Sequence, residues 1–325
     1  MPRTGRRRQA LVLAGTLLLA SGATAGITAW VFAADSTVGV SEGLRTGGLA
    51  GASIVALYAL WLNDRRRRVE EDRQHVEEQR LSTESRRIVD ERFAKAVELL
   101  GNGADQVRVG AMHALVGVTN SAPDYTQTVI DVLCAYLRRP FFHAAYAQTG
   151  QDPDRSEAAG PGRGRLTEEE AADDRERQVR LTAQRLVRQL LPLRNAGADG
   201  PLYHLDLTGA ALEYLDLRDR RVGSVLARRA TFYGITRLGG TEIPGTAMFT
   251  GAVFRGRVEL AGTRFGGGLS LLNAEFEGPV EMAGTVVEVF ADLRWLEPAA
   301  VDLTGLTFGP DVRTRLPGTA VAPVE

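Results

Sequence analysis

Few residues in this 325-residue chain are of a type that does chemistry, and their spacing argues against a shared centre. His75, His113, His143 and His204 are scattered, with none of the close pairing that a metal-binding helix or loop requires. Cys134 is the sole cysteine, so no disulfide forms within the chain and a reducing compartment fits. It lies in an apolar helical run, where a thiol acts as a small hydrophobe. Gly266-Gly267-Gly268 is the type of run that cradles phosphate, but no Lys-Ser/Thr follows and the glycines fall in the phase of a longer repeat. There is no nucleophile elbow and no carboxylate pair set apart from the general surface charge. The expected catalytic, cofactor-binding and metal-binding residues are therefore none, no cofactor is expected, and the chain reads as a non-enzyme. Two charge groups remain. Arg218, Arg220, Arg221, Arg228 and Arg229 cluster upstream, and Glu275, Glu277, Glu281 and Glu288 collect downstream. They are either solvated faces or the two ends of an electrostatic gradient.

The element that positions these charges is a repeat. From Ala230 to Trp295 the chain divides into 11-residue rows: ATFYGITRLGG, TEIPGTAMFTG, AVFRGRVELAG, TRFGGGLSLLN, AEFEGPVEMAG and TVVEVFADLRW. The third position is bulky and apolar (Phe232, Ile243, Phe254, Phe265, Phe276, Val287), as is the ninth (Leu238, Phe249, Leu260, Leu271, Met282, Leu293). The first is small (Ala230, Thr241, Ala252, Thr263, Ala274, Thr285), and Gly fills the fifth in all rows but the last. Each row is a five plus a six, and upstream the period is a plain five, centred on Leu207, Leu212, Leu217 and Val222. A period this strict marks a solenoid, whose units bury their apolar faces only against their neighbours. Side chains two apart on extended backbone share a side, so small and large residues fill one interior. Glycine at the corners permits the turns. Leucine-rich repeats need units of about 20 residues or more, which excludes them here. Two rows should close one coil, stacking Phe232 on Phe254 on Phe276 and Leu238 on Leu260 on Met282. Ala227 stands where Leu or Phe belongs and predicts a bulged corner.

LDLTGAALEYLDL (Leu205 to Leu217) resembles the A-(D/N)-L-x-x signature of the pentapeptide-repeat family, and the AxFxG rows resemble its looser variants. The similarity covers roughly Leu202 to Phe308. It implies a right-handed quadrilateral β-helix with four pentapeptides per coil. After Trp295 the period fails, and VDLTGLTFG is expected to form a closing cap, which a solenoid needs over its last apolar ladder.

Upstream lie two apolar segments, residues 10–33 and 46–62, of about the length that crosses a bilayer. Arg3, Arg6, Arg7 and Arg8 precede the first and Arg65 to Arg68 follow the second, so the positive-inside rule puts both termini in the cytoplasm. Alternatively the first segment is a cleaved signal, with VFAA near Phe32 as its processing site. Gly22/Gly26 and Gly47/Gly51 have the spacing that lets membrane helices approach, which would pin the hairpin or make a homodimer. Residues 63–92 are dense in balanced charge and predict a solvated linker helix. From Phe93 the pattern is amphipathic: RFAKAVELLG stops at Gly101, and DQVRVGAMHALVGV, DYTQTVIDVLCAYLRR and ERQVRLTAQRLVRQLLPL follow. Asp105, Val107, Arg108, Ala111, Ala114 and Leu115 resemble a HEAT-type helix. Residues 141–173, with Gly160-Pro161-Gly162, read as a flexible insertion.

The expected architecture is thus two transmembrane helices (residues 1–62), the linker helix, a helical HEAT-like domain (93–199), a pentapeptide-repeat β-helix (200–310) and a flexible tail (311–325). The formal net charge of −1 favours no polyanionic or polycationic partner. The expected function is a membrane-anchored interaction or scaffold protein of the bacterial cell membrane, multi-pass, with its soluble domains cytoplasmic. Its expected partners are the lipid bilayer and a cytoplasmic or membrane protein, with no nucleic acid. The resemblance also admits a DNA-mimicking regulator of a topoisomerase, weakened by the arginine cluster where a polyanion mimic should be acidic. A membrane-tethered enzyme regulator is the third reading.

Overall fold

The structure, a computed structural model, describes residues 3–34, 40–148, 167–195, 197, 200–296 and 300–316. It divides into two compact units, Met1–Arg86 and Arg87–Glu325. The first holds helix α1 (Arg3–Ala34) and most of α2 (Val40–Leu100). Among the described residues no helix is long and apolar enough to cross a membrane. This overturns the two expected spans and the multi-pass membrane placement built on them. Glycine and hydroxyl residues are interspersed in both runs, Thr16, Ser21, Gly22, Thr24, Gly26 and Thr28 in the first and Gly47, Gly48, Gly51 and Ser53 in the second. Such residues lack the transfer gain that Leu, Ile, Phe and Val supply. The hydroxyls turn inward on their own helix, Thr24 donating to the Ala20 carbonyl (2.7 Å) and Ser53 to Leu49 (2.9 Å). A Cβ built on Gly22 or Gly26 meets nothing within 4 Å among the described residues. The side chains at Gly47 and Gly51 lie outside the described residues.

No break separates the linker from the amphipathic stretch, because α2 runs on to Leu100 and ends where the Gly101 amide bonds back to Glu98 (3.1 Å). In the second unit follow α3 (Asp105–Ser121), a 3-10 turn (Pro123–Tyr125), α4 (Thr126–Leu137), α5 (Ala144–Gln148) and α6 (Glu168–Leu190). The last begins at a capping box: the Thr167 hydroxyl accepts from the Glu170 amide, and the Glu170 carboxylate accepts from the Thr167 amide. Both α3 and α4 pack on α6. Met112, Leu115, Ile130, Leu133, Val179, Ala183 and Leu186 form the buried seam. Phe141–Gln148, placed in the insertion by the sequence, includes the buried His143, Ala145 and Tyr146. Residues 149–166 lie outside the described set.

From His204 to Arg315 the chain is a parallel β-solenoid of about five turns with four sheet faces. The first face stacks His204–Asp206, Ser224–Leu226, Thr246–Met248, Gly268–Ser270, Phe290–Asp292 and Arg313–Arg315. The second carries Ala211–Glu213, Thr231–Tyr233, Val253–Phe254 and Glu275–Phe276. The third runs from Thr236–Arg237 to Val301–Asp302, and the fourth from Glu242–Ile243 to Thr307–Phe308. Register is as the rows require: Phe232 pairs with Phe254 and Phe254 with Phe276. Their rings stack with centroids 4.5 and 5.0 Å apart. Leu238, Leu260 and Met282 form a second buried ladder.

Two rows per coil explain the alternation at the first position. Ala230, Ala252 and Ala274 line one corner; Thr241, Thr263 and Thr285 line another, each fully buried with its hydroxyl donating to the carbonyl of Leu217, Leu238 or Leu260 at 2.7–2.8 Å. The glycines divide their labour differently from the expectation. Left-handed backbone belongs to the row ends, with φ between 66° and 69° at Gly240, Gly251, Gly262 and Gly284, and to Asn273 at 55°. Of the fifth-position glycines only Gly234 is left-handed. The others serve close approach: a Cβ on Gly245 would sit 2.3 Å from the Gly223 carbonyl oxygen, and one on Gly278 2.6 Å from Gly256.

Two further expectations change. The Ala227 corner does not bulge; Ala227 is fully buried, its amide bonds Met248 at 2.8 Å, and the neighbouring Phe249 ring lies 6.1 Å from Phe232. The segment after Trp295 is not a cap but another partial coil, pairing Val301 with Val280, Phe308 with Val287 and Thr314 with Ala291. Its strand Arg313–Arg315 extends into the expected tail, and Phe308 is 40% exposed at the open end.

Candidate interaction site

The sequence-singled residues do not converge. His75 is exposed on α2 beside Gln79, and His113 is exposed on α3. His204 is held on the first face by Ser224 (2.8 Å) and by Gln127 of α4, while His143 is buried with Nε2 2.8 Å from Asp174. Among the described residues no three His, Cys, Asp or Glu side chains gather as a metal site. Cys134 is buried, and burial with Asp131 nearby pushes its thiol up to about 12. Gly266-Gly267-Gly268 is a packed corner: a Cβ on Gly267 would lie 2.6 Å from Gly245, and one on Gly268 2.6 Å from the Phe290 carbonyl. No open cradle for phosphate exists there.

Members of both charge groups have local ion-pair partners on the solenoid. Charges on the outer faces meet a partner one coil away: Arg221–Glu242 (3.7 Å), Arg237–Glu259 (3.6 Å), Arg257–Glu281 (3.2 Å), Arg255–Glu277 and Arg264–Glu288. An arginine on one coil reaches forward to an acid on the next: of the upstream cluster Arg221 meets Glu242, and of the downstream acids Glu277, Glu281 and Glu288 meet Arg255, Arg257 and Arg264, so each group is matched locally and not by the other. Within the basic cluster, Arg218 binds Asp216 (2.7 Å) and Arg220 donates to the Leu191 carbonyl (2.9 Å), tying the end of α6 to the first coil. Each exposed pair contributes little stability, about 0–1 kcal/mol. Their consequence is a rod surface of alternating sign.

The first face differs. Over its middle coils the half-buried Ser224, Leu226, Thr246 and Met248 carry no charge, and the Ser270 hydroxyl is engaged by Thr250 (3.2 Å). Charge returns only at its ends, where Asp206 meets Arg138 and Asp292 meets Arg294. Six strands at about 4.8 Å spacing make it the longest sheet of the solenoid.

What the sequence reading missed is the buried polar junction between helices and solenoid. Glu213, only 3% exposed, accepts from Arg177 Nε (2.8 Å) and from the Tyr146 hydroxyl (2.9 Å), while its amide donates to Gln184 (3.2 Å). Arg180, also 3% exposed, donates to the carbonyls of Leu137, Arg139 and Ala211, and burial pulls it below its ordinary pKa. Tyr146 stacks on Tyr233 at 3.8 Å and 10°. Nearby, Arg108, Glu176 and Tyr136 bond one another, with the Tyr136 hydroxyl pushed up to about 12 by burial and the Glu176 charge. The available signal was Arg177, Arg180 and Gln184 at spacings of three and four on α6, a polar stripe beside an apolar one. The network fixes the first coil on the helices.

No protein-family model, curated protein or solved structure matches the chain.

Proposed function

We propose that this chain is a non-catalytic interaction protein of the pentapeptide-repeat type, in which the solenoid offers its first face to a protein partner. The observation that carries the reading is the uncharged strip from Ser224 to Met248 on a rod whose other faces are covered by interlocked ion pairs. Flat, extended solenoid faces bind through many small contacts, and an uncharged centre with a charged margin is the pattern of a protein interface core. Polyanion mimicry receives less support. The acids of the third face, Glu259, Glu281 and Asp302, stand in one column, but Arg237 and Arg257 pair with two of them.

The test places a photo-crosslinking residue singly at Leu226, Met248, Glu259 or Arg264 in living cells. Cross-links to one and the same protein from positions 226 and 248, and none from 259 or 264, are expected. Equal labelling from every face overturns the choice of face. A single outward residue whose change to alanine abolishes activity in the folded protein overturns the non-catalytic reading.

A further inference from the structure

Away from the solenoid, the end of α2 and the middle of α3 leave between them an open groove of about 360 Å³. Its floor is apolar and small: Val89, Ala96 and Leu99 from α2, and Ala114, Gly117 and Val118 from α3. The ionisable groups lining it, Arg92 and Lys95, are both cationic and both on the α2 rim. Lys95 has Glu98 at 2.9 Å, but that pair is more than 60% exposed on each side and holds its cation weakly. A second observation concerns Gly117. It lies inside α3, where glycine weakens a helix relative to alanine. Yet a Cβ built on it meets nothing within 4 Å, as at Gly110 on the same helix, and of the two glycines it is Gly117 that lines the groove. Among the described residues no contact requires the missing side chain there.

We infer that this groove receives a helix of a partner protein, amphipathic and carrying acidic residues along the edge that faces α2. Small residues let helix axes approach to the near end of the usual 8–10 Å range, which gives Gly117 a purpose that the isolated chain does not. The α3 wall from Ala114 to Ser121 is about 10 Å long, so it fits two turns of such a helix, with anchors at i, i+3 or i+4 and i+7. The acidic edge follows from the rim: two cations and no lining carboxylate favour glutamate or aspartate and oppose lysine or arginine.

The experiment uses the full chain and two synthetic helical peptides of about 15 residues. Both carry leucine at the anchor positions; one has glutamate and the other lysine at the flanking positions, and binding is read by fluorescence anisotropy. The glutamate peptide is expected to bind at least about tenfold more tightly than the lysine peptide. Arg92→Glu with Lys95→Glu should invert that preference. Gly117→Leu, which fills the groove, should cut affinity by about tenfold or more. Gly117→Ala supplies the control for folding: it should raise the melting temperature while lowering affinity, a split that a merely structural glycine would not give. No binding of the glutamate peptide, equal binding of the two peptides, or unchanged affinity in Gly117→Leu overturns the inference.

Discussion

Replacing Glu213 by alanine tests whether the junction is held as an ion network. The carboxylate is 3% exposed and accepts from Arg177 and Tyr146, so its removal takes a charged partner from a largely buried guanidinium and a hydrogen-bond acceptor from a buried phenol hydroxyl. Breaking a buried pair costs up to about 3–5 kcal/mol, because the remaining charge keeps its desolvation penalty with one fewer partner. For a unit the size of Arg87–Glu325, each kcal/mol lowers the melting temperature by about 2–4 °C, giving a fall of roughly 6–20 °C. Circular dichroism melting of the full chain measures it. The companion variant is Arg177→Met with Glu213→Leu, which removes both charges and keeps apolar volume. Such exchanges are neutral or stabilising by about 1–4 kcal/mol, so the double variant should melt well above Glu213→Ala. A double variant that melts at or below the single one would refute the ionic account and leave packing as the source of the loss.

Phe254→Ala should destabilise by about 3–5 kcal/mol, since its ring is stacked between Phe232 and Phe276, whereas Arg255→Ala on the outer face should cost no more than about 1 kcal/mol in urea titration. Gly245→Ala should cost about 1–3 kcal/mol by overpacking, because its Cβ would meet the Gly223 carbonyl oxygen at 2.3 Å; a neutral result would show that the coils separate freely. Arg294 holds Asp292 below the ordinary aspartate value of 3.8, so its contribution is complete above that pH and is lost as pH falls through the lower folded value. Asp292→Asn should therefore flatten the acid side of the stability curve, as read by urea midpoints between about pH 5 and 2. Cys134, buried and pushed up to about 12, should resist a disulfide reagent at pH 8 until the chain is unfolded.

The solenoid was legible because its determinants are local and repeated. Row length, the placement of Phe and Leu, and the alternation of Ala with Thr all follow from coil geometry, and each coil restates the same constraint. The glycines were legible as necessary but not in their roles. Composition cannot distinguish Gly262, which needs φ of +68°, from Gly267, which needs room against Gly245. The junction was hidden for the opposite reason. Glu213 and Arg177 are 36 residues apart, and the partner that makes each buried appears only when α6 is laid on the first coil. The apolar N-terminal runs failed in a third way: their length suggested spans, but among the described residues no helix is long and apolar enough to cross a membrane.

The two surfaces put forward rest on one kind of reasoning, in which a local cost without an internal reason points outward. Along the rod, charge is matched coil by coil, as Arg237 with Glu259 and Arg257 with Glu281, so the solvated faces are explained within the chain. The first face leaves Leu226 and Met248 half-buried without such cover, and α3 holds Gly117 mid-helix with nothing against it. Hydrophobic residues scattered singly on a surface need no account, but a strip on successive strands of one sheet does. The glycine is the sharper case. A leucine at Leu226 or a methionine at Met248 also packs on its own strand neighbours, whereas Gly117, on the groove, gives up helix stability for no contact among the described residues. Its substitution by alanine therefore separates folding from recognition at a single methyl group.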